Sequence, residues 1–211
     1  MATTEGLRRA YTVWAVFYDA VVWFLRGYRR RSLALLDLRR GNSVLIVGCG
    51  TGADFEFLPS DVEVTAVDLT PAMLRLAAAK VGNRRIRLLE MDAMDLGLPD
   101  NTFDKTVLHL IVAVVPDPVR TLQEAERATK PNGLLVVLDK FWNRPGPPPF
   151  PLRIANAFLD GYVTAVSRNF HRILAETSLE VLREIPLGFG GFYWLYLLRK
   201  PPEARGHGGV S

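Results

Sequence analysis

Val44-Leu-Ile-Val-Gly48-Cys-Gly50-Thr-Gly52, followed by Val64-Thr-Ala-Val-Asp68, is the stretch on which the fold turns. An apolar strand runs into three alternating glycines, and a second apolar strand ends on an acid twenty positions after Gly48. Glycines at 48 and 50 adopt backbone angles closed to other residues and let main-chain N–H groups approach a ligand. A carboxylate at the tip of the next strand is placed to accept both hydroxyls of a ribose. Together these features predict a nucleoside-containing cofactor at the carboxyl edge of a parallel sheet.

Gly48-x-Gly50-x-x-Ala53 also fits the dinucleotide fingerprint in its Gly/Ala-ended form. Two further features point elsewhere. The third glycine falls at Gly52, and a third strand, Ile86-Arg-Leu-Leu-Glu-Met91, ends in Asp92-Ala93. There a carboxylate and a neighbouring backbone N–H could meet an adenine amine and ring nitrogen.

Outward from this centre the pattern alternates. Strands are expected at Ser43–Val47, Val62–Val67, Arg85–Met91, Phe103–Leu110 and Leu134–Asp139. A loop and first helix cover Gly48–Leu58, stopped by Pro59. Thr70-Pro71 supplies an N-cap and a favoured first position for a helix over Pro71–Val81, which Gly82 ends. Asp117-Pro118 opens another to about Thr129, and Lys130-Pro-Asn-Gly133 turns the chain into the fifth strand. The proline-rich Asn143–Pro151 is an extended connector. Helices near Leu152–Val166 and Asn169–Thr177 and strands at Leu179–Ile185 and Phe192–Arg199 close the domain. The alternation predicts an α/β, Rossmann-like, mostly parallel seven-stranded sheet with helices on both faces. The domains expected are an N-terminal helical lid (1–40), a core (41–200) with a substrate-side insertion at about 143–168, and a disordered tail (201–211).

A chain of 211 residues, 49% apolar and 23% charged, suits one domain with a full core. The single Cys49 rules out an internal disulfide framework and points to a reducing cytosol. His109, His171 and His207 lack metal-ligand spacing, so no metal is expected.

The net charge of +4 is unevenly spread. Residues 1–40 hold eight arginines against Glu5, Asp19 and Asp37, while the remainder is near neutral. This basic excess calls for an anionic partner or surface. Residues 7–25 read as a helix, continuing or restarting through 28–38, with Trp14, Phe17, Tyr18, Val21 and Leu25 on one face. Val13, Val16, Ala20, Trp23 and Phe24 make much of the opposite face apolar too, so both sides need cover. The apolar stretch between Arg9 and Arg26 is interrupted by Asp19 and falls short of the about 20 residues that span a bilayer. It suits a lid packed on the domain, or a lid that also lies on an anionic membrane. No signal-peptide pattern is evident: Met1–Gly6 carries no basic residue, and no small-residue cleavage site succeeds a clean apolar core.

The segments VLIVGCGTG, VTAVDLTPAML, MDAMDLGLPDNTFD and VVPDPVRTLQEAERATKPNGLLVVLD, spanning about residues 40 to 140, resemble the class I S-adenosylmethionine-dependent methyltransferases in order and spacing. The lid stretch Tyr11…Tyr18-Asp19, the run from Gly50 to Pro59, Leu110–Pro118 and the proline-bearing connector resemble soluble bacterial phosphatidylethanolamine N-methyltransferases. Related membrane-attached thiol and lipid methyltransferases are similar too.

The resemblance implies S-adenosylmethionine as cofactor and S-adenosylhomocysteine as product. It implies cofactor contacts from Tyr18, Gly48, Gly50, Thr51, Gly52, Asp68, Leu69, Met73, Asp92, Ala93 and His109. Tyr18 and His109 are the catalytic candidates, His109 through its backbone carbonyl or its ring, or as a satisfied neighbour of the cofactor. Tyr11, Asp19 and Lys140 are the acceptor-side candidates. The expected reaction is N-methylation of a membrane-associated phospholipid, phosphatidylethanolamine, with a quinone or other hydrophobic small molecule as one alternative acceptor and a catalytically silent cofactor-binding interaction protein as another reading. The expected place is the cytoplasm, peripheral at the inner membrane face. A nucleic-acid acceptor is not expected, because no Asn/Asp-Pro-Pro-Tyr/Phe motif comes after the fourth strand.

Overall fold

The computed structural model describes residues 25–143, 168–188 and 193–203. Residues 7–24 of the helix expected over 7–25 and the helix expected near 152–166, and with them Tyr11, Tyr18 and Asp19, lie outside the described residues.

Helix α1 (residues 25–34) leads into β1 (Ser43–Val47), β2 (Glu63–Asp68), α2 (Pro71–Ala78), β3 (Arg85–Glu90) and β4 (Phe103–His109). Then come α3 (Pro118–Ala128), β5 (Thr129–Lys140), a short α4 (Phe170–Leu174), β6 (Glu180–Leu187) and β7 (Tyr193–Arg199). The seven strands form one sheet in the order β3-β2-β1-β4-β5-β7-β6. The first five run parallel, and β7 is antiparallel to both β5 and β6.

The chain steps outward from β1 through β2 to β3, then returns to the other side of β1 with β4. A crevice therefore opens beyond the carboxyl ends of β1 and β4, where neighbouring loops diverge. Alternation along each strand builds the two layers. Val44 and Ile46 of β1 pack with Leu33 and Leu36 near α1 and with Phe55 and Ala77. Leu45 and Val47 face Leu122 and Ala125 of α3 and Phe170 and Ile173 of α4. A period of two on the strands thus sets helices on both faces of the sheet.

Two local expectations are corrected. The segment after Gly48 forms only a short 3-10 turn, Phe55–Phe57, instead of a full helix. Positive φ at Gly48, Gly50 and Gly52 holds the chain out of a helical path, and Pro59 comes too soon for a longer one. The expected turn at 130–133 lies inside β5, with Asn132 at φ +63° and a register shift opposite Phe103 and Lys105. Backbone bonds from Asn132 N–H to the Lys200 carbonyl (2.9 Å) and from Lys200 N–H to the Gly133 carbonyl (3.0 Å) keep that irregular stretch paired.

Gly52 shows why a glycine stands there. Its φ is +73°, and a Cβ would lie 2.7 Å from the Phe55 ring and 3.2 Å from Ala77 Cα. Gly97 has φ +57° with nothing within 4 Å. Gly52→Ala should therefore cost more than Gly97→Ala, which carries only the left-handed backbone penalty of about 1–2 kcal/mol. Urea unfolding of the two variants checks this through their midpoints; equal losses would show that Phe55 and Ala77 yield freely.

Candidate functional site

A cavity of about 420 Å³ opens at the carboxyl edge of the sheet. Its contributions follow the strand order. Asp92, Ala93 and Met94 come from the end of β3, Asp68, Leu69 and Thr70 from β2, Gly48 and Gly50 from β1, and His109 to Ile111 from β4. Met73 of α2 and Arg29 of α1 reach the same space from the helices.

Both oxygens of Asp68 are held. Oδ2 accepts from Gly50 N–H at 2.8 Å and Oδ1 from Thr70 N–H at 2.9 Å. The carboxylate is thus tied to the glycine loop and to the start of α2. Thr70 occupies the N-cap position without using its side chain as a cap. Asp92 Oδ1 accepts from Met94 N–H at 2.8 Å, which folds the β3 loop back along the cavity. Leu69 is 62% exposed on the cavity wall, an apolar surface that a flat ring could cover. Gly48, at φ +69°, leaves no room for a side chain, because a Cβ would sit 2.7 Å from Ile111 Cδ1. Cys49 lines the cavity, but burial and the Asp68 and Asp54 carboxylates push its thiol up to about 12. It is a small buried residue, as expected, and not a nucleophile at neutral pH.

Several candidates stand elsewhere. Thr51 and Gly52 are buried away from the cavity lining: Thr51 Oγ1 accepts from Lys80 Nζ at 3.2 Å, and Gly52 packs under Phe55. Lys140 also lies outside the lining, on the β5 face shared with Leu138, opposite Tyr193 of β7. The half-buried setting lowers the pKa of its ammonium, with Asp139 opposing.

His109 does line the cavity, but its ring is engaged at both nitrogens. Nδ1 is 2.7 Å from Asp54 Oδ1 and Nε2 is 2.8 Å from Ser32 Oγ. A carboxylate only accepts, so Nδ1 carries the hydrogen. Taking a proton from an acceptor would require breaking one of these bonds. The expectation of a ring available for proton removal is corrected accordingly.

Asp54, Arg29 and Ser32 were not singled out from the sequence. Arg29 Nη1 donates to Asp54 Oδ2 at 2.8 Å, and all four side chains of this network are buried. Burial works against the Asp54 charge. The charges of His109 and Arg29 and their hydrogen bonds overcome that penalty and hold the carboxyl well below its usual range. A signal existed in the sequence: Leu25, Arg29, Ser32 and Leu36 share one helical face, so Arg29 falls on the apolar stripe while Arg30 and Arg31 do not.

The loop after β4 is fixed separately. Leu110 takes φ +59°, Ala113 N–H donates to buried Asp139 Oδ2 at 2.9 Å, and Arg168 Nη1 donates to the Val112 carbonyl at 2.8 Å. Burial pushes the Asp139 carboxyl up, with these N–H and cationic neighbours opposing.

Residues 45–137 match the family model described as a methyltransferase domain. The chain is 31% identical over 193 residues to the phosphatidylethanolamine N-methyltransferase of Cereibacter sphaeroides, covering 90% of this chain and 95% of that one. It belongs to the class I S-adenosylmethionine-dependent methyltransferases. A demethylmenaquinone methyltransferase of Bacillus pumilus (strain SAFR-032) is 34% identical over 122 residues, 54% of this chain and 52% of its own. Among solved structures, a geranyl diphosphate methyltransferase in complex with SAM superposes with a TM-score of 0.70 at 18% identity, over 83% of this chain and 85% of that one. The methyltransferase uses S-adenosylmethionine, and the cavity suits it: acids at the β2 and β3 tips, close backbone at Gly48, and an apolar wall at Leu69 and Met73.

Asp54→Asn should remove the charge that balances Arg29 and cost about 3–5 kcal/mol. The folded-state carboxyl ionises below the ordinary 3.8, so its stabilisation is full above that pH and is lost as pH falls toward the folded value. Acid and urea unfolding of both proteins should show a stability gap that is widest near neutrality and narrows below about pH 4. A constant gap down to low pH would mean that the charge of Asp54 is not what stabilises the network.

Proposed function

We propose that this methyltransferase N-methylates phosphatidylethanolamine, working as a peripheral enzyme at the cytoplasmic face of a membrane. The observation that carries this reading is the 31% identity to the Cereibacter phosphatidylethanolamine N-methyltransferase over nearly the full length of both chains. The basic N-terminal region agrees with it: Arg26, Arg30 and Arg31 are exposed on α1, while Leu25 and Leu33 on the same helix are buried. Exposed arginines beside an apolar segment suit reversible attachment to anionic headgroups. A quinone acceptor is the second reading, favoured by demethylmenaquinone methyltransferases that match over 54% to 75% of this chain, less than the 90% matched by the phosphatidylethanolamine enzyme.

S-adenosylmethionine brings an electrophilic methyl group on sulfur, so the protein needs alignment and exclusion of water more than an acid or base. In this reading Asp68 takes the ribose, Asp92 and Ala93 the adenine edge, and Leu69 and Met73 the adenine face. The Gly48–Gly50 backbone cradles the chain beyond the ribose. His109, held by Asp54 and Ser32, acts as a positioning residue that fixes the cavity floor beside the glycine loop. Tyr11, Tyr18 and Asp19 would close over the acceptor, and Lys140, beside Tyr193 on the α1 face of the sheet, would meet a headgroup phosphate.

Incubation with methyl-labelled S-adenosylmethionine and a lipid extract, with mass spectrometry of the products, tests the acceptor. Mono- and dimethylated phosphatidylethanolamine is the expected product, whereas label confined to quinones would replace the first reading with the second. Membrane attachment has its own test. Arg30→Glu with Arg31→Glu should cut co-sedimentation with phosphatidylglycerol-containing vesicles several-fold at an unchanged melting temperature. Undiminished sedimentation would remove α1 from the docking surface.

A further inference from the structure

A second group of polar side chains lies at the carboxyl edge of the sheet, one strand over from the cavity. Lys140 ends β5, two residues beyond Leu138, which pairs with His109 of β4. Tyr193 of β7 stands directly opposite Lys140 in the antiparallel register. Tyr28 of α1 packs on the same face, its ring centroid 6.4 Å from that of Tyr193. The Tyr28 hydroxyl lies 3.7 Å from where a Cβ on Gly188 would stand, so it borders the end of β6. None of the three residues lines the cofactor cavity, and each is partly exposed. Burial disfavours the Lys140 charge, with the Asp139 carboxylate opposing. The oxygens of Asp139 accept from the N–H groups of Ala113 and Lys140, at 2.9 and 2.8 Å. Burial also pushes the Tyr193 phenol up, which keeps it protonated and able to donate.

We infer that Lys140, Tyr28 and Tyr193 form a subsite for the phosphate of an ethanolamine phosphate acceptor whose amine enters the cofactor cavity. The inference deepens the phosphatidylethanolamine reading and rests on it for the class of acceptor. Lysine meets phosphate as a compact point charge, and a phenol adds a directed donor without a second charge. A phosphodiester carries a single negative charge, which one ammonium matches. Distance agrees as well. The two-carbon bridge of ethanolamine sets nitrogen and phosphorus about 5 Å apart, close to the strand spacing of about 4.8 Å between β4 and β5. An amine held against the cavity wall at His109 to Ile111 therefore leaves its phosphate at the tip of β5. The same corner discriminates between acceptors, because a quinone ring brings no anion to Lys140.

Methyl transfer by the full chain to three acceptors tests the subsite: dihexanoyl phosphatidylethanolamine, its methyl phosphotriester, which is neutral at phosphorus, and free phosphoethanolamine. The wild-type enzyme should prefer the diester over the triester roughly 10- to 100-fold in kcat/KM, the size of a charged hydrogen bond. Lys140→Gln should shrink that preference to a few-fold, mostly through KM, while calorimetry shows S-adenosylhomocysteine binding as before. Lys140→Arg should keep part of the preference, and Tyr28→Phe and Tyr193→Phe should each weaken the diester several-fold. A Lys140→Gln enzyme with the full wild-type preference would overturn the inference while lipid methylation stands. Should that variant fail to fold, a wild-type enzyme that takes diester and triester equally overturns it too. Transfer to phosphoethanolamine in place of the lipid, lost in Lys140→Gln, would keep the subsite and remove the lipid reading. Transfer to neither phosphate-bearing acceptor overturns both.

Discussion

The buried carboxylate of Asp54 is the interaction on which the arrangement of this site depends. It stands in the loop between β1 and β2 and is bonded to His109 at the end of β4 and to Arg29 of α1. His109 then returns to α1 through Ser32. Three segments far apart in sequence therefore meet at one charge. A buried ion pair is a poor source of net stability, because desolvating both partners offsets most of their attraction. Its value is geometric: breaking the Arg29–Asp54 bond would strand a buried charge, so the pair ties α1 to the loop after β1.

That constraint works with a second one from the backbone. Gly48 leaves space that Ile111 fills, and Gly52 lets Phe55 and α2 close beneath the loop. The glycine loop is consequently held from below by packing and from the side by Asp54. Its N–H at Gly50 is already turned toward Asp68. On the far side, the loop after β4 is pinned through Ala113 to Asp139 and through Val112 to Arg168. The cavity is thus framed by fixed walls, which is what a displacement reaction governed by alignment asks of its protein.

Much of this was legible because it obeys local rules. Strand periodicity located β1 at Ser43–Val47 and placed β2 and β3 within a residue at each end. Asp117-Pro118 marked the start of α3, where Asp117 Oδ1 indeed accepts from Arg120 N–H at 2.9 Å. Asp68 and Asp92 stand at strand tips beside the cavity because chain order and a parallel sheet leave acids at those positions no other edge. What was not legible is direction. Thr51, Gly52 and Lys140 stand outside the cavity lining, because the direction of each is set by what packs against it: Lys80, Phe55 and the β5 face opposite Tyr193.

By itself the sequence determined the sheet, its order of construction, the glycine loop and the acids that bracket a nucleoside, since all arise from periodicity, turn chemistry and spacing. Only the tertiary structure decided which charges are buried and what they touch. Arg29, Arg30 and Arg31 are identical residues in a row, yet one is inside the protein and two are in solvent. Asp54 looked like any loop acid until a helix 25 residues earlier and a strand 55 residues later converged on it. The physical reason is that desolvation and Coulombic attraction depend on distance in space, and folding sets that distance between residues the chain keeps far apart.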